Sequence, residues 1–503
     1  MSLIDKVLTI PIILQQFFSE YYYFPHVLLT SLILHVFITG VYSYGLRWQI
    51  IPVYAAFFLH ALGAQLFSIS LGLIGLLLDH FFKLPVVKFI PGPHSVGFVH
   101  YEKKTGSSSN FPTIGTIFYP AKHPHSSLSP YLFLGDRHKL TRTFVKLRGS
   151  LLPSWILSHW AHVNCPMAMG VAALEEKMPV VVFCHGLYGT REMYTSLALS
   201  LASNGALVVM VEHTDGSSSL ARFADGSVLH MKRFAFTDCS QTEIEISTRQ
   251  EQNRVRVSNL MDTLNLLCDL NNGSLQLGEV IVGDKSDATR DSPRFTGRLK
   301  MDNISLGGHS FGGATVLAFT SLFKTSRDPA FTSIRTRINI GACFVLEAAI
   351  DWVQQETRLA TGLGLKIGCE HYWKADSGEP MPIVPRTISM LCINSEGWIL
   401  SRPTWTTFGK ELFVNKQAAH GSHYVAIKGA GHLGLCDLVI LLPNVVNVHV
   451  TKALVPKSDA EKVLLAVNTT VMHWLRNVKM IDGTGSPLEN IEGTFNHVSR
   501  TRN

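Results

Sequence analysis

Between Ile304 and Phe319 the chain reads "ISLGGHSFGGATVLAF", an apolar run, a glycine-rich turn around Ser310, and a second apolar run. Gly308-His309-Ser310-Phe311-Gly312 satisfies G-x-S-x-G. That pattern is weak alone and specific where a strand precedes it and a helix follows, the two joined by a turn too sharp for side chains at the glycine positions. The alternative, a glycine-rich turn with an incidental serine, would not need that context. The stretch therefore predicts a nucleophile elbow with Ser310 at its apex and Gly308 and Gly312 as its small residues.

The surrounding pattern agrees. From Met178 onward, buried runs alternate with helical ones: "PVVVFCHG", a helix over "REMYTSLALSLASNG", "ALVVMVEH", and an amphipathic segment from roughly Ile244 to Leu270. Then come "ISLGGHS", a helix from Gly312, "INIGACFVLE", "RTISMLCINSE", "HYVAIKGAGH" and a last helix near Ala460 to Arg476. Upstream, "GPHSVGFVHY" and "PTIGTIFYPA" read as short strands. Continuous Val, Ile and Leu runs separated by helices predict a mainly parallel sheet covered on both faces, an α/β fold.

A serine hydroxyl needs a base, and with this elbow an acid and then a histidine must follow it along the chain. His432, in "IKGAGHLG" after the last of those runs, stands where the base belongs. Three carboxylates could orient it: Glu347 at the end of "ACFVLE", Glu396 after "SMLCINSE", and Asp351. The oxyanion of a tetrahedral intermediate needs preorganised donors. Phe311 can offer its backbone N–H from the helix N-terminus. "FCHGLYG" resembles the HG-type loop that supplies a second donor, assigned to Leu187. His185 and His213 are expected to brace these loops.

Composition adds a membrane. Apolar residues reach 46% and charged residues 16%, with a mean hydropathy of +0.19. Two stretches without Asp, Glu, Lys or Arg, residues 24–44 and 51–78, are each long enough to cross a bilayer. They predict an N-terminal helical hairpin within residues 1–90, followed by a catalytic domain over 91–480 and a polar tail over 481–503. Lys6, Lys83, Lys88, Lys103 and Lys104 outnumber Arg47 in the connecting turn, which places the large domain in the cytosol; three Asn-X-Ser/Thr sequons leave a lumenal orientation open. The basic, apolar segment 131–160 suits a membrane surface. A net charge of +7 with scattered Lys and Arg argues against nucleic acid. The eight cysteines show no CxxC and predict neither a zinc site nor a disulfide framework; Cys184, Cys343 and Cys392 are expected to be buried thiols.

These residues resemble a known family, the plasma-type platelet-activating factor acetylhydrolases, or group VII phospholipases A2. "PVVVFCHGLYGTREMYTSLALSLASNGALVVMVEHTD" is similar to its oxyanion-loop block, "GGHSFGGATV" to its elbow, "CINSE" to a later strand and "GPHSVG" to its first strand. The resemblance spans roughly Gly92 to Arg476. It implies an α/β-hydrolase fold, Ser310 as nucleophile, His432 as base, and the Leu187 and Phe311 amides as oxyanion hole. It also implies Glu347 as the acid, because Leu346-Glu347-Ala348 stands where the family has an L-D-A setting. Glu347 is one methylene longer than the usual Asp, Ala349 lies near where an aromatic follows, and Leu433 follows the base in place of a polar residue. The segment 151–160 falls where the family has an interfacial helix.

The expectation is a membrane-attached, calcium-independent serine hydrolase that cleaves the sn-2 acyl or acetyl ester of phospholipids with no cofactor or metal. A general carboxylesterase or neutral-lipid lipase would use the same triad. A catalytically silent membrane adaptor would keep only the fold.

Overall fold

The computed structural model describes residues 70, 73–74, 87–104, 111–122, 128–131, 163–232, 241–282, 293–349, 387–401, 419, 421–441, 459–491 and 494–499. The chain divides into two compact units. Most described residues belong to the larger, made of residues 87–129, 165–440 and 448–503. Apart from Ser70, Leu73 and Ile74, the two apolar runs lie outside the described residues, as do the segment 151–160 and Asp351. Among the described residues no helix is long and apolar enough to cross a membrane.

The larger unit is built on one sheet. Its strands are β1 (Ser95–Lys103), β2 (Thr113–Ala121), β3 (Ala168–Met169), β4 (Met178–Cys184), β5 (Leu207–Glu212) and β6 (Ile281–Val282), then β7 (Leu299–His309), β8 (Ile340–Leu346), β9 (Ser389–Ser395), β10 (His423–Ile427) and β11 (Thr494–Ser499). They run in the order β6-β1-β2-β5-β4-β7-β8-β9-β10-β11, with β3 beside β1. The six from β5 to β10 are parallel. β1, β2 and β6 pair antiparallel at one side and β11 at the other. The helices longer than one turn among the described residues are α1 (Thr195–Ser203), α2 (Gln241–Asn272), α3 (Phe311–Thr325), α4 (Pro329–Arg335), α5 (Glu396–Ser401) and α6 (Ala460–Asn477).

The sequence shows why the middle strands are parallel. Side chains alternate across a strand, and here both sets are apolar. Val180, Val182, Cys184, Val209 and Val211 share a core with Leu260, Leu264 and Leu267 of α2 and Ala314 and Phe319 of α3. The opposite set, Val181, Phe183, Val208 and Met210, is buried as completely. Each such side chain contributes about 1.5–3 kcal/mol when fully buried. A sheet covered on both faces is the arrangement that parallel strands need.

The two short strands expected upstream and the strands and helices expected from Met178 onward appear, and the mainly parallel α/β architecture stands. The C-terminal segment differs in one respect. Residues 481–503 read as a polar tail, yet Ile481, Leu488 and Ile491 are buried and Thr494–Ser499 forms the edge strand β11. An edge strand has one neighbour, so "TFNHVS" needs little of the apolar signature that marks the central ones.

Candidate active site

Parallel strands deliver their following loops to one end of the sheet, the place where open α/β sheets hold ligands. Gly308 lies beside Cys184 and Val345, Leu346 beside Ile393, and Ser395 beside Ile427. Five carboxyl ends therefore carry Leu187, Ser310, Glu347, Glu396 and His432 in adjoining loops. Asp351 is outside the described residues.

Ser310 links β7 to α3 with φ of 53° and ψ of −115°, a backbone conformation L-residues avoid. Its N–H donates to Leu346 C=O at 2.8 Å, and its own carbonyl accepts from Ala349 N–H at 2.9 Å and Ala314 N–H at 3.2 Å. Those bonds hold the strained residue in place. The elbow glycines are required by contact. A Cβ on Gly308 would lie 2.3 Å from Gly312 O, and one on Gly312 would lie 2.0 Å from Cys184 O. Ala348 presses on α3 in the same way, 2.8 Å from where a Gly313 Cβ would be.

Glu347 has left-handed backbone, φ of 50°, and is fully buried. Its N–H donates to Ile393 C=O at 2.9 Å, which ties it to β9. One carboxylate oxygen, Oε1, accepts the Ser395 N–H at 2.6 Å; the other, Oε2, pairs with His432 Nδ1. The extra methylene relative to Asp is thus taken up where the chain turns back after β8. Glu396 points elsewhere and accepts the Gly429 N–H at 2.9 Å, which ties down the loop before His432.

His432 begins a short 3-10 turn, His432–Leu435, and its side chain is 18% exposed. One face of the imidazole stacks on Trp398 at 4.6 Å, 14° from parallel. The ring of His309, the residue before Ser310, lies 4.7 Å from it. Gly186 N–H donates to Tyr194 Oη at 3.2 Å, and the same hydroxyl shares a hydrogen bond with His309 Nδ1 at 2.8 Å. Burial, and next the nearby His432, hold His309 well below the ordinary histidine range. That burial favours the neutral His309 ring.

The HG-type loop lies against the elbow. A Cβ on Gly186 would meet Ser310 Cβ at 3.2 Å and His309 O at 3.2 Å, so the residue before Leu187 packs directly against the serine. Phe311 opens α3, whose N-terminus favours negative charge. His185 sits beneath the loop, with Nδ1 on Gly186 C=O at 2.8 Å and Nε2 2.9 Å from Glu212 Oε1. Burial would raise the Glu212 carboxyl, but His185 and Arg191 outweigh it and hold the group below its ordinary value. His213 N–H donates to His185 Nε2 at 3.2 Å. Both histidines stay behind the loop as expected.

Among the described residues one grouping has metal-ligand proximity: His309, Glu347 and His432, with ligand atoms within 4.8 Å of one another. Both Glu347 oxygens and the Nδ1 atoms of both histidines are already engaged. Cys184, Cys343 and Cys392 are free and buried, and burial pushes each thiol up to about 12.

Sequence reasoning passed over Trp398, Tyr194 and Arg256. Each acts through a partner distant in sequence, and no local pattern marks such contacts.

A family model described as platelet-activating factor acetylhydrolase, isoform II, matches residues 82–338, just over half of the chain. Over 206 residues, 40% of this chain and 42% of the relative, the chain is 33% identical to the platelet-activating factor acetylhydrolase of Canis lupus familiaris. Over 248 residues, 47% and 56%, it is 26% identical to that of Gallus gallus. A putative phospholipase A2 of Schizosaccharomyces pombe is 27% identical over 164 residues, 28% and 34%. The matches thus span between a third and a little over half of these relatives' lengths. The fold is similar to that of a ferulic acid esterase from Streptomyces cinnamoneus, with a TM-score of 0.50 and 15% identity over 81% of this chain and 95% of that one. With the family model covering more than half of its length, the chain belongs to the platelet-activating factor acetylhydrolase, isoform II, family.

Proposed function

We propose that the protein is a serine hydrolase that cleaves the sn-2 acyl or acetyl ester of phospholipids without calcium. The observation that carries this is the Glu347–His432 pair, set in loops adjoining Ser310 and the Gly186–Leu187 turn at one end of the sheet. The names of the relatives, platelet-activating factor acetylhydrolase and putative phospholipase A2, support phospholipid as the substrate.

In this reading Ser310 Oγ attacks the ester carbonyl while its proton passes to His432 Nε2. Glu347 accepts the Nδ1–H and favours the imidazolium that forms. The Leu187 and Phe311 N–H groups receive the oxyanion. When the tetrahedral intermediate collapses, the ester C–O bond breaks and the imidazolium gives its proton to the departing lysophospholipid oxygen. Water, deprotonated by His432, then attacks the acyl-serine; the free acid leaves and Ser310 regains its proton. The two apolar runs would anchor the enzyme beside its substrate with the catalytic domain in the cytosol. Their described part fits contact with lipid, since Leu73 and Ile74 are helical and 51% and 47% exposed.

The test is acyl release by the full chain from phosphatidylcholine vesicles bearing labelled short and long sn-2 chains, with a calcium chelator present. The expected result is chelator-insensitive release that Ser310→Ala lowers by roughly 10³-fold or more. Equal release by the serine variant would refute the reading. Hydrolysis of simple esters but no phospholipid would favour a general carboxylesterase.

A further inference from the structure

Arg256 projects from α2 into the interior and is fully buried, although no step of the proposed mechanism calls on it. Its guanidinium is engaged on every side. Nε donates to Asp215 Oδ2 at 3.0 Å and Ser217 Oγ at 3.0 Å, and Nη2 to the same hydroxyl at 2.6 Å. Nη1 donates to the backbone carbonyl of His185 at 2.8 Å. The plane lies over the Phe311 ring, Cζ 4.1 Å from its centroid. One side chain therefore grips the loop that carries Leu187 and the residue that supplies the other amide.

The cradle extends beyond the arginine. Tyr188 has φ of 60°, strained backbone that persists only where its surroundings enforce it. Its N–H donates to Ser217 C=O at 3.0 Å, and Ser219 N–H donates to Gly189 C=O at 3.2 Å. Ser218 Oγ donates to the same Gly189 carbonyl at 3.1 Å, and Ser219 Oγ to the Tyr188 carbonyl. Asp215 in turn accepts from Ser217 Oγ at 2.6 Å. Arg256 thus fixes the 215–219 segment, and that segment fixes the loop. Apolar residues of similar volume often stabilise an interior as well as a buried ion pair does. Stability alone gives little reason for a charge here.

We propose that Arg256 is a positioning residue for the oxyanion hole. It holds the Leu187 and Phe311 amides at a common point by binding the loop through His185 C=O and the elbow through the Phe311 ring. Asp215 and Ser217 keep its planar fork oriented. Lysine is no substitute, because an ammonium cannot meet a carboxylate, a hydroxyl and a carbonyl in one plane while stacking on a ring. The proposal rests on the acyl-transfer reading of the site.

The test compares p-nitrophenyl acetate with its thiono analogue, in which sulfur replaces the carbonyl oxygen. Sulfur accepts hydrogen bonds poorly, so an intact hole favours the oxygen ester far more than the thiono ester. For Arg256→Lys the expected result is an oxygen-ester kcat lowered about 10- to 100-fold, KM within about twofold, and an oxygen-to-thiono rate ratio narrowed by the same factor as kcat. Ser217→Ala, which removes one hydroxyl and leaves the ion pair, should shift the ratio the same way by about threefold to tenfold. It decides the matter if Arg256→Lys does not fold. A ratio unchanged from wild type in folded variants, whatever happens to kcat, would overturn the role of Arg256 alone. A wild type inactive on p-nitrophenyl acetate would overturn the acyl-transfer reading and this proposal with it.

Discussion

Glu347 shows how one residue can depart from its family's usual type and keep a geometry. Left-handed backbone at the end of β8 and a bond to Ile393 turn the chain back, and the longer side chain fills the distance to His432. Both carboxylate oxygens are used, one on a backbone N–H and one on the imidazole. Glu347→Gln keeps the shape but removes the charge and offers an N–H where an acceptor is needed. It should lower kcat on a phospholipid ester by about 10³-fold or more, with the fold intact by circular dichroism. Activity within tenfold of wild type would show that Glu347 does not serve His432. From spacing alone, Glu347, Glu396 and Asp351 can each orient the imidazole, and the family resemblance favours the first. The reason lies in pairing: β8 and β9 are neighbours in the sheet, so the loops after them converge near His432, and spacing along the chain does not record which carboxylate faces the ring.

At the scale of elements, the elbow is a close contact among β4, β7 and α3. Gly312 packs its Cα where any Cβ would meet the Cys184 carbonyl at 2.0 Å, and that carbonyl is backbone that cannot move aside cheaply. Gly312→Ala should therefore destabilise the protein by about 3 kcal/mol, read as a drop in the urea midpoint; a midpoint equal to that of wild type would mean the contact is relaxed in solution. This element was the most legible in the sequence, because two apolar runs around a glycine-rich turn leave few alternatives. The central strands were legible for a related reason. Buried on both faces, they write continuous Val, Ile and Leu runs. β11 did not, since an edge strand with polar residues resembles a tail. Arg256 was also hidden. On α2 it looks like one more charge of an amphipathic helix, and only the fold turns it toward His185, Asp215 and Phe311.

At the scale of the whole molecule, three buried histidines among the described residues make stability depend on acid. Burial holds His100, His213 and His309 well below their ordinary value of 6.5, helped by Arg191 at His100, Arg256 and His185 at His213, and His432 at His309. In the unfolded chain each takes a proton as pH falls through 6.5, while the folded chain does not. Below that point the unfolded state binds more protons, so stability is fully present above 6.5 and declines as pH falls, by up to about 1.4 kcal/mol per pH unit for each histidine. Urea midpoints at pH 7.5, 6.5 and 5.5 should hold steady over the first interval and fall over the second; a flat profile to 5.5 would contradict neutral burial. The most direct measurement is labelling of the full chain with a fluorophosphonate, which bonds to an activated serine, followed by peptide mapping. One adduct is expected, on Ser310, suppressed by phospholipid vesicles and slowed at least about 100-fold by His432→Ala. Folded protein that takes no label, or takes it at another serine, would contradict that expectation.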